Sequence, residues 1–217
     1  MNSGRQAALK ALLTDRSKTE YDLSMARPKE FDRDEALDVA LRVFRAKGFE
    51  GTTTDDLRLA MKIGRQSMYD TFGDKRQLYL EALKRYHSRS IIQFMESLEG
   101  GGSAQCALRD ALGRFANQDT DDLALGCMGI NAVCEFGRSD AQVNAIIDAG
   151  GSAFIVAFKD LIAKGKEQGE FRSDLDEDKA ASYLLSILSG MKVSARAGAT
   201  TESIIDIAGL AVRALAA

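Results

Sequence analysis

The only proline in the chain is Pro28, so the 189 residues from 29 to 217 run without the residue that most strongly interrupts a helix. No long stretch alternates apolar and polar residues with β-branched enrichment, whereas apolar residues recur at helical spacing through most of the chain. The expectation is an all-α protein. At 217 residues, 45% of them hydrophobic, the chain can bury a substantial core as one large domain or two small ones.

Residues 1–25 are polar and mixed, and are expected to form an N-terminal extension with no assigned role; Met25-Ala26-Arg27-Pro28-Lys29 reads as a fresh start. Asp32 is a candidate N-cap for a first helix carrying Ala36, Leu37, Ala40, Leu41 and Phe44, with Gly48 as its stop. Thr53 and Asp56 have the spacing of a capping box, aspartate replacing the usual glutamate, ahead of Leu57, Ala60 and Met61. After a break at 62–64, Arg65 to Phe72 makes a short helix that puts Met68 and Phe72 on one face and turns Arg65, Gln66, Tyr69 and Asp70 elsewhere. A longer helix runs from about Asp74 to Leu98, where the glycines at 100–102 end it. Further helices are expected after a cap at Ser103, from about Leu123 to Phe136, from Asp140 to about Gln168, from near Asp176, and from Thr201 to Leu215. Gly150-Gly151, inside the long fourth of these segments, predicts a kink or hinge. The expected division is 26–73 as a small head and 74–217 as a helical body.

Two short helices joined by a tight turn behind a supporting helix form a helix-turn-helix, whose second helix fits the major groove of B-DNA. Arg65 and Gln66 have donors suited to base edges, arginine to guanine and glutamine to adenine. Ser67, Tyr69, Thr52 and Thr53 carry hydroxyls suited to phosphate oxygens, and Lys75 adds a charge at a helix N-terminus. The net charge of −3 excludes a protein that coats nucleic acid non-specifically. Residues 26–75 hold ten Lys or Arg and ten Asp or Glu, so a DNA-facing surface there must come from how the charges are sorted.

The runs GFEGTTTDDL and IGRQSMYDTFGDKRQLY resemble the N-terminal domain of TetR/AcrR-type transcriptional regulators, with a glycine-aromatic turn, a threonine pair, and Tyr69, Phe72 and Lys75 at the family's spacing. LGCMGINAV, GEFRSDLD and SGMKVSARAGAT resemble, more loosely, the C-terminal domain of one branch. The resemblance implies phosphate contacts from Tyr69, Thr52 and Lys75, with Arg65, Gln66 and Asp70 near bases. It also implies a small-molecule effector site in the body. Two positions depart from the pattern: Lys62 stands where glycine is usual, and Gly64 where a serine or threonine caps the second helix.

Such a head gains affinity by dimerising so that two copies meet successive major grooves of a palindromic, double-stranded operator. The helix bearing Leu184, Leu188 and Met191 and the last helix, with Ile205, Ala208 and Val212, are apolar over a wide arc and are expected to form a four-helix dimer interface; closing the core of one chain is the alternative. Phe94, Phe115, Cys127, Asn131, Phe154 and Phe158 are candidate pocket residues, a pattern that a plain core shares. Three cysteines and one histidine at unsuitable spacing predict neither a metal site nor a disulfide framework, no cofactor is implied, and no apolar run spans a bilayer or forms a secretory signal. The expectation is a cytoplasmic, non-enzymatic regulator, read as a homodimeric repressor released from DNA by a small molecule of unknown identity. A helical enzyme, or a ligand-binding dimer without a DNA role, remains the alternative.

Overall fold

The computed structural model describes residues 31–98, 102–116 and 125–217, in which the helical periodicity becomes nine helices and no named strand. They are α1 (Arg33–Lys47), α2 (Thr54–Met61), α3 (Arg65–Phe72), α4 (Lys75–Leu98), α5 (Ala104–Ala116), α6 (Met128–Phe136), α7 (Ala141–Glu167), α8 (Glu177–Arg196) and α9 (Thr201–Leu215). No helix among the described residues is long and apolar enough to cross a membrane.

The head is built on α1. Its apolar stripe, Ala36, Leu37, Ala40, Leu41 and Phe44, is buried, and Phe44 meets the ring of Tyr79 on α4 edge-on at 5.0 Å. The next helix starts where the capping box places it: Asp56 N donates to Thr53 Oγ1 at 3.0 Å and Thr53 N donates to the Asp56 carboxylate at 2.9 Å. Lys47 also bonds that carboxylate at 2.6 Å, and the Lys47 and Thr53 hydrogen bonds hold Asp56 well below the usual carboxylate range.

In the body, α5, α7, α8 and α9 surround a core that includes Leu108, Leu112, Phe158, Ile162, Leu184, Ile204 and Val212. Helix α4 runs from the head into this core and delivers Phe94 to it. Beyond α7, Phe171 is buried, and the backbone around it pairs with the chain's last residues through Arg172 N to Leu215 O at 3.0 Å and Ala217 N to Glu170 O at 3.1 Å.

Two expectations about the body are corrected. The helix expected from about Leu123 begins only at Met128, because Gly126 takes φ +73° and Cys127 sits in extended backbone as the N-cap; residues 117–124 lie outside the described residues. Cys127 and Cys134 therefore do not share a helix face. Nor does Gly150-Gly151 make a hinge: α7 is continuous from Ala141 to Glu167. Gly150 is buried against His87, and a Cβ there would collide with the imidazole Nδ1 and lie 3.0 Å from Cε1. A Cβ at Gly129 on α6 would approach the same ring to 2.9 Å. The glycines are there for close approach, not for bending.

Candidate functional site

The segment that joins α2 to α3 is set by two backbone conformations. Lys62 caps α2 at φ 57°, ψ 38°, the left-handed region, which accounts for a position where glycine would be the easier residue. Gly64 then opens α3 in extended backbone without any side-chain cap. Met68 and Phe72 anchor α3 at 1% and 4% exposure, and Arg33 stacks its guanidinium over the Phe72 ring at 5.0 Å. Arg65, Gln66, Tyr69 and Asp70 are all exposed, with Ser67 half-buried beside them. Arg65 leans on Asp55 only loosely, at 3.9 Å. Gln66 donates one amide hydrogen to Asp70 at 2.7 Å, which fixes the amide plane and leaves its oxygen and a second N–H outward.

The remaining sequence-predicted DNA contacts fall differently. Thr52 is 1% exposed and its hydroxyl donates to Gly48 O at 2.5 Å, so this side chain holds the turn together and has no face for a phosphate. Thr53 is exposed, but its hydroxyl both donates to and accepts from Asp56 as the cap. Lys75 turns inward: its ammonium donates to Phe49 O and Thr52 O, each at 2.9 Å, and lies 4.2 Å from the centre of the Phe49 ring. It staples α4 to the turn before α2. Adjacent threonines point opposite ways in extended backbone, which is why the pair divides its roles.

The body contains a cavity of about 440 Å³ lined by residues of α1, α4, α5, α7 and α8 and by the turn before α6. Phe94, Cys127 and Phe154, three of the expected pocket residues, line it. Phe158 does not: it is fully buried behind the wall, 4.9 Å from the Phe94 ring. Asn131 is engaged elsewhere, donating to Arg45 O at 3.1 Å and accepting from Arg196. The side chain of Phe115 lies outside the described residues. The lining also includes Arg45, Tyr86, Ser90, Gln93, Glu96, Arg114 and Lys192, none of them selected by the search for aromatic residues.

Arg45 belongs to the head yet faces the cavity. Its Nε donates to Gly126 O at 3.0 Å, and its guanidinium lies 5.7 Å from the Tyr86 ring. The same seam is closed by Glu135 of α6, whose carboxylate accepts from Phe49 N at 2.9 Å and Glu50 N at 3.3 Å. Further along, Arg76 pairs with Asp140, and its hydrogen bonds pull the Asp140 carboxyl down to about 2. Arg85 and Arg89 both grip Asp38 at 2.6 Å; burial pushes this carboxyl up, and the two arginines together bring it below its usual range. A hydrogen-bonded seam thus joins the cavity's rim to the turn that positions α2 and α3.

His87, the chain's one histidine, is lodged between Gly129 and Gly150, and its Nε2 finds no hydrogen-bond partner among the described residues. Burial first, and the nearby Lys192 charge second, lower its pKa from 6.5 to about 4. The unfolded chain therefore takes up a proton at higher pH than the folded one, so the stability from the neutral imidazole is complete above pH 6.5 and lost as pH falls towards 4. Between pH 8 and pH 5 the cost is about 2 kcal/mol, before the carboxylates titrate. Urea midpoints across that range should fall in the parent protein and stay nearly flat in a His87→Gln variant.

The expected dimer residues are also redistributed. Leu184, Leu188, Met191, Ala208 and Val212 are each 5% exposed or less and belong to the core of the single chain, so only Ile205, at 46%, is open to a partner. The exposed apolar residues of α8 and α9 lie on the other face: Tyr183 and Val193, with half-buried Ile187, on α8, and Ile205 and Leu210 on α9. A Cβ at Gly190 would meet nothing within 4 Å.

Comparison with known proteins agrees with this geometry. Residues 36–82 match the bacterial regulatory proteins of the tetR family, and residues 106–206 match the tetracyclin repressor-like C-terminal domain. The chain is 36% identical over 162 residues to the uncharacterized HTH-type transcriptional regulator YezE of Bacillus subtilis, covering 74% of this chain and 84% of that one. It is 30% identical over 192 residues to the HTH-type transcriptional repressor ComR of Escherichia coli, covering 88% and 91%. Among solved structures, a cysteine mutant of the TetR family regulator CifR, complexed with 26-base-pair double-strand operator DNA, superposes with a TM-score of 0.77 at 29% identity, covering 87% of this chain and 99% of that one. These are regulators of transcription, not enzymes, which removes the helical enzyme from consideration. Matched by sequence across both head and body and by fold over most of its length, the chain belongs to the tetR family of helix-turn-helix transcriptional regulators.

Proposed function

We propose that this regulator works in the cytoplasm as a homodimeric repressor that binds a palindromic operator through α3 and leaves it when a small molecule enters the body cavity. Residues 26–73 form the DNA-reading unit, and 74–217 the effector-binding and dimerising one. The observation that carries the DNA reading is the division of α3: Met68 and Phe72 anchor it in the head, and Arg65, Gln66, Tyr69 and Asp70 stand exposed in one short helix. Arg65 and Gln66 address base edges, with Asp70 orienting the Gln66 amide. Ser67, Tyr69 and Thr53 lie toward phosphates, and Thr52 and Lys75 hold the turn that presents them. DNase I footprinting on the DNA upstream of the gene tests this. The expected footprint has two symmetric halves in major grooves about 34–36 Å apart; a single asymmetric patch contradicts it.

The dimer forms through the outward face of α8 and α9, where Tyr183, Ile187, Val193, Ile205 and Leu210 surround the open flank of Gly190. Light scattering at micromolar concentration should give twice the 23.5 kDa of one chain, and Leu210→Asp should halve that mass. A parent protein that scatters as a monomer rules out the dimer. Release by an effector follows from the seam: an occupant that engages Arg45 competes with Gly126 O for its guanidinium and so alters how α1 docks on the body. The effector then favours one head spacing over the other, as any allosteric ligand must.

A further inference from the structure

We propose that the effector is an amphipathic organic anion, with an apolar body seated on Phe94, Phe154 and Leu188 and one acidic group held by Arg45, Arg114 and Lys192. This rests on the reading of the body cavity as the effector site. The cavity's 440 Å³ lies within the roughly 300–1,000 Å³ range of small-molecule sites. One side is apolar: Phe94 and Phe154 are each 7% exposed with ring centres 5.1 Å apart, and Leu188 is 5% exposed.

The other side is cationic against the balance of the molecule. In a chain of net charge −3, three separate helices send a cation to this cavity, Arg45 from α1, Arg114 from α5 and Lys192 from α8, against the single carboxylate of Glu96. Among the described residues no carboxylate forms an ion pair with Lys192 or Arg114. The Lys192 ammonium rests instead 5.5 Å from the centre of the Phe154 ring, at the junction between the apolar and cationic sides. Like charges converging on a partly dry cleft repel one another, and an anion relieves that repulsion. Arginine adds a planar fork that fits a carboxylate or sulfonate, with Ser90 and Gln93 as neutral donors beside it. One acid group fits better than several, because Glu96 opposes additional negative charge.

Two fluorescent probes of matched shape separate charge from greasiness: 1-anilinonaphthalene-8-sulfonate, and N-phenyl-1-naphthylamine, the same aromatic body without the sulfonate. The full-length protein should bind the sulfonate saturably, one per chain, at least about tenfold more tightly than the neutral amine, a difference equal to one well-made charged contact. Lys192→Gln and Arg114→Gln, on different helices, should each weaken the sulfonate about five- to tenfold and leave the amine within about twofold. Circular dichroism melting of each variant reports folding, and because the two sites are on separate helices one variant suffices. Equal affinity for the two probes, absence of saturable sulfonate binding, or a folded variant with unchanged sulfonate affinity overturns the proposal. Operator binding, measured without either probe, is a separate result: its failure removes the regulator reading, whereas loss of the probe preference with operator binding intact removes only the anion.

Discussion

An Arg65→Ala variant should lose operator affinity and, at the same time, lose its preference at one base pair in each half-site. A bidentate arginine contact to guanine contributes about 1–3 kcal/mol of discrimination, and a symmetric dimer makes it twice, so about 2–6 kcal/mol is at stake on the cognate site. The side chain is free to make that contact: it is 63% exposed, and its only ion-pair neighbour among the described residues is Asp55 at 3.9 Å. Binding of parent and variant should be compared on the operator and on operators changed at one symmetric position at a time. The expected pattern is a large loss on the cognate sequence and near-equal affinity for all four base pairs at the position Arg65 reads. An equal loss on every sequence would make Arg65 a phosphate contact and refute its role as a reader.

The second large effect is on stability, and it should change sign between neighbouring residues. Gly151→Ala places a methyl where nothing lies within 4 Å, so it should stabilise α7 by about 0.5–1 kcal/mol through helix propensity alone. Gly150→Ala gains the same propensity but drives its methyl into His87, which Gly129 confines from the other side. Overpacking of this kind costs about 1–3 kcal/mol, so the net effect should be a loss of about 1–2 kcal/mol. Thermal melts resolve the pair, since each kcal/mol moves the midpoint by about 2–4 °C in a chain of this size. If both substitutions stabilise, His87 does not sit where α6 and α7 pinch it.

What could be read in advance was local. The capping box of Thr53 and Asp56, the span Arg65–Phe72 and the last helix Thr201–Leu215 all follow from caps and i, i+4 spacing, and all appear in the fold. Both departures in the helix-turn-helix were visible too, and the left-handed backbone of Lys62 gives the first its physical meaning. What was not legible depends on partners distant in sequence. Nothing near Arg45 announces that it meets Gly126, 81 residues on, or that a head residue lines a body cavity. Lys75 carries the charge expected of a phosphate contact, yet two carbonyls from the preceding turn capture it. A wide apolar arc on α8 cannot by itself say which half is core. Leu184, Leu188 and Met191 turn out to face their own chain, and Tyr183 and Ile187, one residue away from that row, lie toward the outside. The glycine pair in α7 was read by its propensity, when the decisive fact was the imidazole from another helix.

The central claim is sequence-specific recognition of DNA by α3, and fluorescence anisotropy tests it most directly. The full-length protein is titrated onto labelled DNA from upstream of its own gene, with unlabelled random DNA in excess, alongside the Arg65→Ala variant. The expected result is saturable binding that survives the competitor in the parent protein and is lost in the variant. Binding that the competitor abolishes, equal in parent and variant, would contradict it.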